Sequence, residues 1–210
     1  MLTRAWTGRV APDWHVRVTG ANESVADRFS DPSWAEADDS TLVNLCLAGE
    51  RNAFDVIVER HRRQVYQLCY RYVGNHEDAS ELAQDSFVRA YKGLKAFKGE
   101  SSLATWLYRI TVNACLNRLA LKTPRSEPIE PGDRVDVRAE APDAALLRNE
   151  RAEEVRAAIK QLPPKQRATL ILRTYHELPH DEIARILGSS VGAAKANLFH
   201  ALANLKKLLR

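Results

Sequence analysis

Apolar residues recur three and four positions apart along most of the chain, and this helical period outweighs any alternation of apolar and polar side chains. The first such helical period opens at Asp39 and closes at Gly49, a residue typical of a helix C-terminus. Longer periods follow, one of them ending at Gly74 and the last at residue 121. Residues 39–121 are therefore predicted to form one all-α domain.

The helical pattern stops after residue 121 and returns near residue 150. Between 122 and 150 there are five basic and seven acidic residues, a net charge of −2, and four prolines interrupt the segment. This composition predicts a flexible acidic linker at 122–149. Residues 1–38 show no period and are interpreted as an N-terminal extension, whose three tryptophans form either a docking patch or a leader without a role of its own. The predicted fold class is all-α, with two small helical domains joined by the linker.

The second domain, residues 150–210, carries the strongest local pattern. Asp181–Leu187 forms a short amphipathic period, Gly188 supplies a left-handed turn, and Ser189 or Ser190 can cap the long final helix. This arrangement is typical of a helix-turn-helix, whose second helix enters the major groove of DNA. A plain helical hairpin with a solvated basic face is the other interpretation.

Composition and charge narrow the class of protein. Residues 165–210 hold eight basic and three acidic side chains, a net of +5 that suits contacts with phosphates. Cys46, Cys69 and Cys115 are scattered, which favours a reducing compartment over a disulfide framework. Because the sequence shows neither a secretory signal nor an apolar run long enough to span a bilayer, we expect a cytoplasmic protein.

The segment from His176 to His180 matches the His-Glu-x-x-His pattern of zinc peptidases. That chemistry needs both histidines on one helical face, and Pro179 between them would break the helix. The segment is predicted to be a loop that enters a helix at Pro179 or His180. We expect no metal, no cofactor and no catalytic residue.

Three segments resemble one known family. Asp78–Tyr91 resembles the polymerase-binding helix of extracytoplasmic-function sigma factors of the sigma-70 family, and Phe97–Ile110, followed by Asn113, resembles their promoter-melting segment. Leu162–Arg167 and the short helix around 182–184 are similar to their second DNA-binding domain. The resemblance runs from about residue 39 to 210, so it implies sigma region 2 at 39–121 and sigma region 4 at 150–210.

The resemblance implies that the first segment binds core RNA polymerase. The residues expected to do so are Asp78, Glu81, Leu82, Gln84, Asp85 and Phe87. Glu81 and Asp85 are four positions apart and therefore share a helical face. An exposed face that only contacts water is the other interpretation of these carboxylates.

The resemblance also implies that the loop at 97–102 captures a flipped base of the minus-ten element. Such capture needs cationic, aromatic and polar groups around an unstacked base. Trp106 is either part of this site or part of the core. The residues expected to contact DNA in this domain are Phe97, Lys98, Gly99, Glu100, Ser101, Ser102, Trp106, Arg109, Asn113 and Arg118.

The final helix departs from the family. Many members carry several arginines where this chain has Asn197, His200 and Leu202, and Pro179 stands where a capping serine is common. The minus-thirty-five contacts are therefore expected from a different set of residues. They are Ser189, Ser190, Lys195, Asn197 and His200.

The function that the resemblance implies is promoter recognition and transcription initiation in response to an envelope or environmental stress. The implied partners are core RNA polymerase, promoter DNA and an anti-sigma factor, which is often membrane-anchored in the family, with no small-molecule substrate. A helix-turn-helix regulator that is not a polymerase subunit is one alternative. An enzyme, either a zinc hydrolase or a nuclease, is another, although the sequence lacks a Gly-rich phosphate loop and a nucleophile setting.

Overall fold

The computed structural model describes residues 33–122 and 142–209, and the rest of the predicted extension and linker lies outside the described residues. Throughout the described ranges the regular structure is helical, which confirms the all-α prediction. The helices are α1 (Ser33–Glu36), α2 (Asp39–Ala48), α3 (Asn52–Val73), α4 (His76–Gly93), α5 (Leu103–Lys122), α6 (Pro142–Gln161), α7 (Pro164–Tyr175), α8 (His180–Ile186) and α9 (Val191–Leu208), with a 3₁₀ turn at Leu94–Ala96.

The helix ends follow local side-chain chemistry. Asp38 caps α2 by accepting a hydrogen bond from the backbone N–H of Thr41 at 2.8 Å. α2 and α3 are followed by Gly49 and Gly74, whose φ angles of +110° and +79° lie in the left-handed region. The predicted stops at these two glycines are confirmed.

Two helices begin inside segments that the sequence pattern assigned elsewhere. α1 lies within the predicted extension 1–38, and Trp34 is partly buried against the core. α6 begins at Pro142, within the predicted linker 122–149. Proline is well suited to a first helical position, where its missing N–H would have no partner in the helix. The prolines of the linker therefore include one that starts a helix.

The first helical unit is built around α3, which packs against α2, α4 and α5. One face of α3 is fully buried and includes Ile57, Leu68 and Tyr72. Leu107 and Val112 of α5 complete this layer. This packing fixes α4 and the N-terminal end of α5, which carry the predicted polymerase and promoter contacts.

The second unit, α6 to α9, contains the predicted helix-turn-helix. α8 and α9 are joined by a turn in which Gly188 has a φ of +56°, and the N–H of Ser189 donates to the carbonyl of Ala184 at 2.9 Å. Ser190 then caps α9 by accepting from the N–H of Ala193 at 3.1 Å. The helix-turn-helix is confirmed, and Ser190 is the cap.

The two units pack directly against each other, which the sequence pattern did not predict. The hydroxyl of Tyr72 donates to the carbonyl of Pro164 at 3.0 Å, from α3 to the start of α7. The hydroxyl of Thr105 on α5 donates to a carboxylate oxygen of Glu182 on α8 at 2.8 Å. Side chains of both units belong to one hydrophobic cluster.

Candidate polymerase and nucleic-acid interfaces

The predicted polymerase-binding residues divide into a buried and an exposed set on α4. Leu82 and Phe87 are buried in the core of the first unit. Glu81 and Gln84 are exposed, and Asp85 is partly exposed at the same surface. The exposed set is acidic and polar, so it can meet a basic partner surface. The buried set fixes the helix that presents it.

A cationic side chain predicted to contact DNA lies against this acidic set. Arg118 of α5 donates to Asp78 at 2.9 Å and forms a short hydrogen bond to Glu81. The hydrogen bonds to these two carboxylates raise the pKa of the Arg118 guanidinium. Arg118 therefore connects α5 to the exposed face of α4.

The loop between α4 and α5 presents a turn that favours glycine. Gly99 has a φ of +71°, and Lys98 and Glu100 beside it are exposed. Phe97 is half-buried and its ring centroid lies 5.3 Å from that of Trp106. Trp106 is only 7% exposed, so in this conformation it supports the loop from the core.

The two serines at the end of this loop have different roles. The hydroxyl of Ser102 accepts from the N–H of Thr105 at 3.1 Å, which makes Ser102 the N-cap of α5. Ser101 donates to the carbonyl of Ser102 at 3.3 Å and is only half-buried. Arg109 and Asn113 are exposed one turn apart further along α5. The structure therefore brings together an exposed loop and a polar strip on the helix that follows it.

The predicted base-contacting residues of α9 do not share one face. At about 100° of rotation per residue, Lys195 and Asn197 lie about 160° apart around the helix. Lys195 and His200 are exposed, whereas Asn197 is half-buried. The hydroxyl of Ser189 is buried and has no hydrogen-bond partner among the described residues.

An aromatic side chain that the sequence interpretation left out is the most exposed large apolar residue of α9. Phe199 is 70% exposed, while Ala194 and Ala201 are fully buried on the core side of the helix. A helical projection of residues 191–208 places Phe199 opposite the buried side, so the sequence held this signal.

The His-Glu-x-x-His segment is a loop, as predicted. α7 ends at Tyr175 and α8 begins at His180, and Glu177 between them has a φ of +54°. Among the described residues no cluster of three or more His, Cys, Asp or Glu could hold a metal ion. In the same part of the chain, no helix is long and apolar enough to cross a membrane.

His176 contributes to the contact between the units and should give the protein a pH-dependent stability. Its ring centroid lies 4.7 Å from that of Tyr108 on α5. Burial, with a smaller contribution from the charge of Arg71, lowers the pKa of His176 from 6.5 to about 4.

Above pH 6.5 His176 is neutral in both the folded and the unfolded chain. Between pH 6.5 and 4 only the unfolded chain takes up the proton, so the free energy of unfolding falls with falling pH. Allowing for partial solvent exposure of the ring, we expect a loss of about 2 kcal/mol from this residue. Urea unfolding at pH 7 and pH 4.5 measures it, and the loss should shrink in His176→Phe. An equal loss in both proteins would contradict the assignment.

These observations define a class: an all-helical DNA-binding protein whose first unit presents an acidic helix and a glycine-containing loop and whose second unit carries a helix-turn-helix. Two family models match the chain, one over each unit. The model of sigma-70 region 2 matches residues 57–123, and the model of sigma-70 region 4 matches residues 152–205.

Curated relatives match most of the chain. The RNA polymerase sigma-H factor of Pseudomonas aeruginosa is 33% identical over 82% of this chain and 94% of its own length. The sigma factor SigW of Bacillus subtilis is 32% identical over 77% of this chain and 91% of its own length. The sigma factor SigM of Mycobacterium tuberculosis is 34% identical over 83% of this chain and 86% of its own length. The chain belongs to the extracytoplasmic-function sigma factors of the sigma-70 family.

Solved structures share the fold. CnrH, solved in complex with the cytosolic domain of CnrY, matches with a TM-score of 0.60 and 25% identity over 81% of this chain and 96% of CnrH. RpoE of Bartonella quintana, solved with the anti-sigma factor NepR, matches with a TM-score of 0.59 and 20% identity over 74% of this chain and 96% of RpoE.

Proposed function

We propose that this sigma factor uses the exposed side of α4 to bind core RNA polymerase, the loop at 97–102 to hold unpaired minus-ten DNA, and α9 to recognise the minus-thirty-five duplex. The observation that carries this proposal is the match to sigma-70 regions 2 and 4, in order, on a fold that exposes all three surfaces.

The acidic side of α4 supports the polymerase assignment. Glu81, Gln84 and Asp85 lie on the exposed side of a helix whose other side is buried. Arg118 binds Asp78 and Glu81 and so holds two of the carboxylates in place. A fixed acidic surface can steer and align a basic partner, because complementary charge raises association rates and sets orientation.

The loop at 97–102 supports capture of an unpaired base. Lys98 is exposed and can bind a phosphate, and Gly99 allows the backbone to come close to a ligand. Arg109 and Asn113 extend the polar surface along α5. The protein would therefore exchange base pairing for protein contacts at the start of melting, without covalent chemistry and in the cytoplasm.

An anti-sigma factor is the proposed regulator. This assignment follows from membership of the extracytoplasmic-function family, and a similar protein, CnrH, forms a complex with the cytosolic domain of CnrY. We propose that such a factor covers the polymerase-binding surface of α4 until an envelope or environmental stress releases the sigma factor.

The test of this function is selection of promoter fragments from a random duplex DNA pool by purified core RNA polymerase, with and without the full chain. We expect the chain to enrich fragments with two sequence elements at a fixed spacing, and only when core polymerase is present. Enrichment of a single element by the chain alone, unchanged by core polymerase, would favour a regulator that is not a polymerase subunit.

A further inference from the structure

The centre of the exposed face of α9 is apolar. Gly192, Ala196, Phe199 and Ala203 fall within about 60° of one another around the helix. Among these four, only Phe199 has a side chain larger than a methyl group, and it is the most exposed large apolar residue among the described residues. The face therefore has one prominent group, and that group cannot form a hydrogen bond with a base edge.

Three lysines and a histidine flank this apolar centre on both sides. Lys195 and Lys206 lie on one side of it, and His200 and Lys207 lie on the other, all four exposed. This arrangement suits a helix inside a groove, because the flanking groups can reach phosphates on the two walls while the centre faces the base edges. The ligand that this face of α9 fits best is therefore duplex DNA.

The major groove offers one distinctive apolar group, the C5-methyl of thymine. Gly192 and Ala196 have little or no side chain, so they allow the backbone of the first turns of α9 to approach the bases. Phe199 then follows at the third turn as the group that can contact a methyl. The polar base-edge groups of the major groove are hydrogen-bond donors or acceptors, which the phenyl ring cannot satisfy.

We propose that Phe199 is a specificity-determining residue that recognises thymine methyl groups in the minus-thirty-five element. This inference rests on the proposed function of α9 and adds how that helix, which lacks the arginines common in the family, distinguishes sequences. Lys195 and His200 then bind phosphates on either side of the groove. Replacing either of them should weaken binding to all sequences equally.

The decisive experiment replaces thymine by uracil, which removes only the methyl group. Each thymine of the minus-thirty-five element of a selected promoter is changed in turn, and equilibrium binding of the complete complex of chain and core polymerase is measured. We expect uracil at one or two positions to weaken binding by about fourfold, the effect of one buried methyl. At those positions Phe199→Ala should bind thymine and uracil equally.

Leu208→Ala is the matched control. Leu208 is another partly exposed apolar residue of α9, but it lies about 13 Å further along the helix and on its opposite side. This variant should keep the full preference for thymine. Phe199 is largely exposed, so its replacement should leave the fold intact. The uracil scan of the unchanged protein also tests the proposal without any variant.

The outcomes separate this inference from the proposed function. If promoters are selected but no uracil substitution weakens binding, or if Phe199→Ala retains the preference, the inference is wrong and the function stands. If Phe199→Ala loses core polymerase binding instead, the face serves a protein partner and the inference is wrong. If core polymerase selects nothing, the same scan is made on fragments selected by the full chain alone. Failure to bind any DNA overturns both.

Discussion

Arg167→Met should lower the free energy of unfolding by about 3 kcal/mol. Arg167 is only 6% exposed. Its guanidinium donates to the backbone carbonyl of Tyr72 in the first unit at 3.0 Å. It also donates to the backbone carbonyls of Leu162, at 3.4 Å, and of Lys160, in a short hydrogen bond. Methionine fills a similar volume but leaves these buried carbonyls without a donor, which costs more than the lost bonds alone.

The effect should be specific to the buried arginine. Arg173→Met on the same helix removes one exposed hydrogen bond to the carbonyl of Leu178, so it should cost less than 1 kcal/mol, as a rough limit for such a bond. Tyr72→Phe removes only the bond to Pro164 and should cost about 1 kcal/mol. Urea unfolding followed by circular dichroism measures all three. A change below about 0.5 kcal/mol for Arg167→Met would show that the carbonyls find other donors.

Asp85→Arg should weaken the binding of core RNA polymerase at least about tenfold, because it reverses the charge at the centre of the acidic face of α4. Asp85 is paired with Arg89 one turn away, an exposed contact at 2.8 Å whose loss costs only about 0.5 kcal/mol of stability. The variant should therefore fold normally and fail in polymerase binding. Fluorescence anisotropy of labelled chain titrated with core polymerase measures the affinity.

Glu50→Arg makes the same change of charge at an exposed position in the turn between α2 and α3. The Glu50→Arg and Asp85→Arg variants therefore have the same net charge. A difference in their polymerase affinity reports a local contact and not a general electrostatic effect. We expect it to bind core polymerase nearly as well as the unchanged chain. Equal weakening by both substitutions would contradict the assignment of the α4 face.

Local sequence patterns were sufficient to predict most of the helices and several of their ends, but not α1 or the first turns of α6. Gly49, Gly74 and Gly188 mark turns because a left-handed backbone favours glycine, and each of them has a positive φ. The loop at His176–His180 followed from the proline within it. These predictions depend on residues close together in the chain, where backbone geometry alone decides.

Contacts between distant residues could not be predicted in the same way. Thr105 and Glu182 are 77 positions apart, and neither forms part of a pattern that indicates a partner. Arg118 is predicted to contact DNA, and its hydrogen bonds to the carboxylates of α4 had no signature in the sequence. An arginine has the same sequence signature whether it meets a phosphate, a carboxylate or buried carbonyls, so only packing distinguishes these cases.

Helix α9 has features that local sequence predicts and features that depend on its position in the fold. The boundaries of α9 and its cap at Ser190 follow from local chemistry. Its base-contacting residues were chosen for their polarity, and the projection separates Lys195 from Asn197 while bringing Phe199 to the exposed centre. The choice by polarity leaves out apolar contacts, although the major groove also presents methyl groups.

Run-off transcription in vitro, with purified core RNA polymerase and the selected promoter fragments, tests whether the full chain initiates transcription as a polymerase subunit. We expect transcripts of defined length only when the chain is present, and their loss with Asp85→Arg but not with Glu50→Arg. Specific binding of the fragments without any transcript, using core polymerase from the same source as the chain, would contradict this expectation.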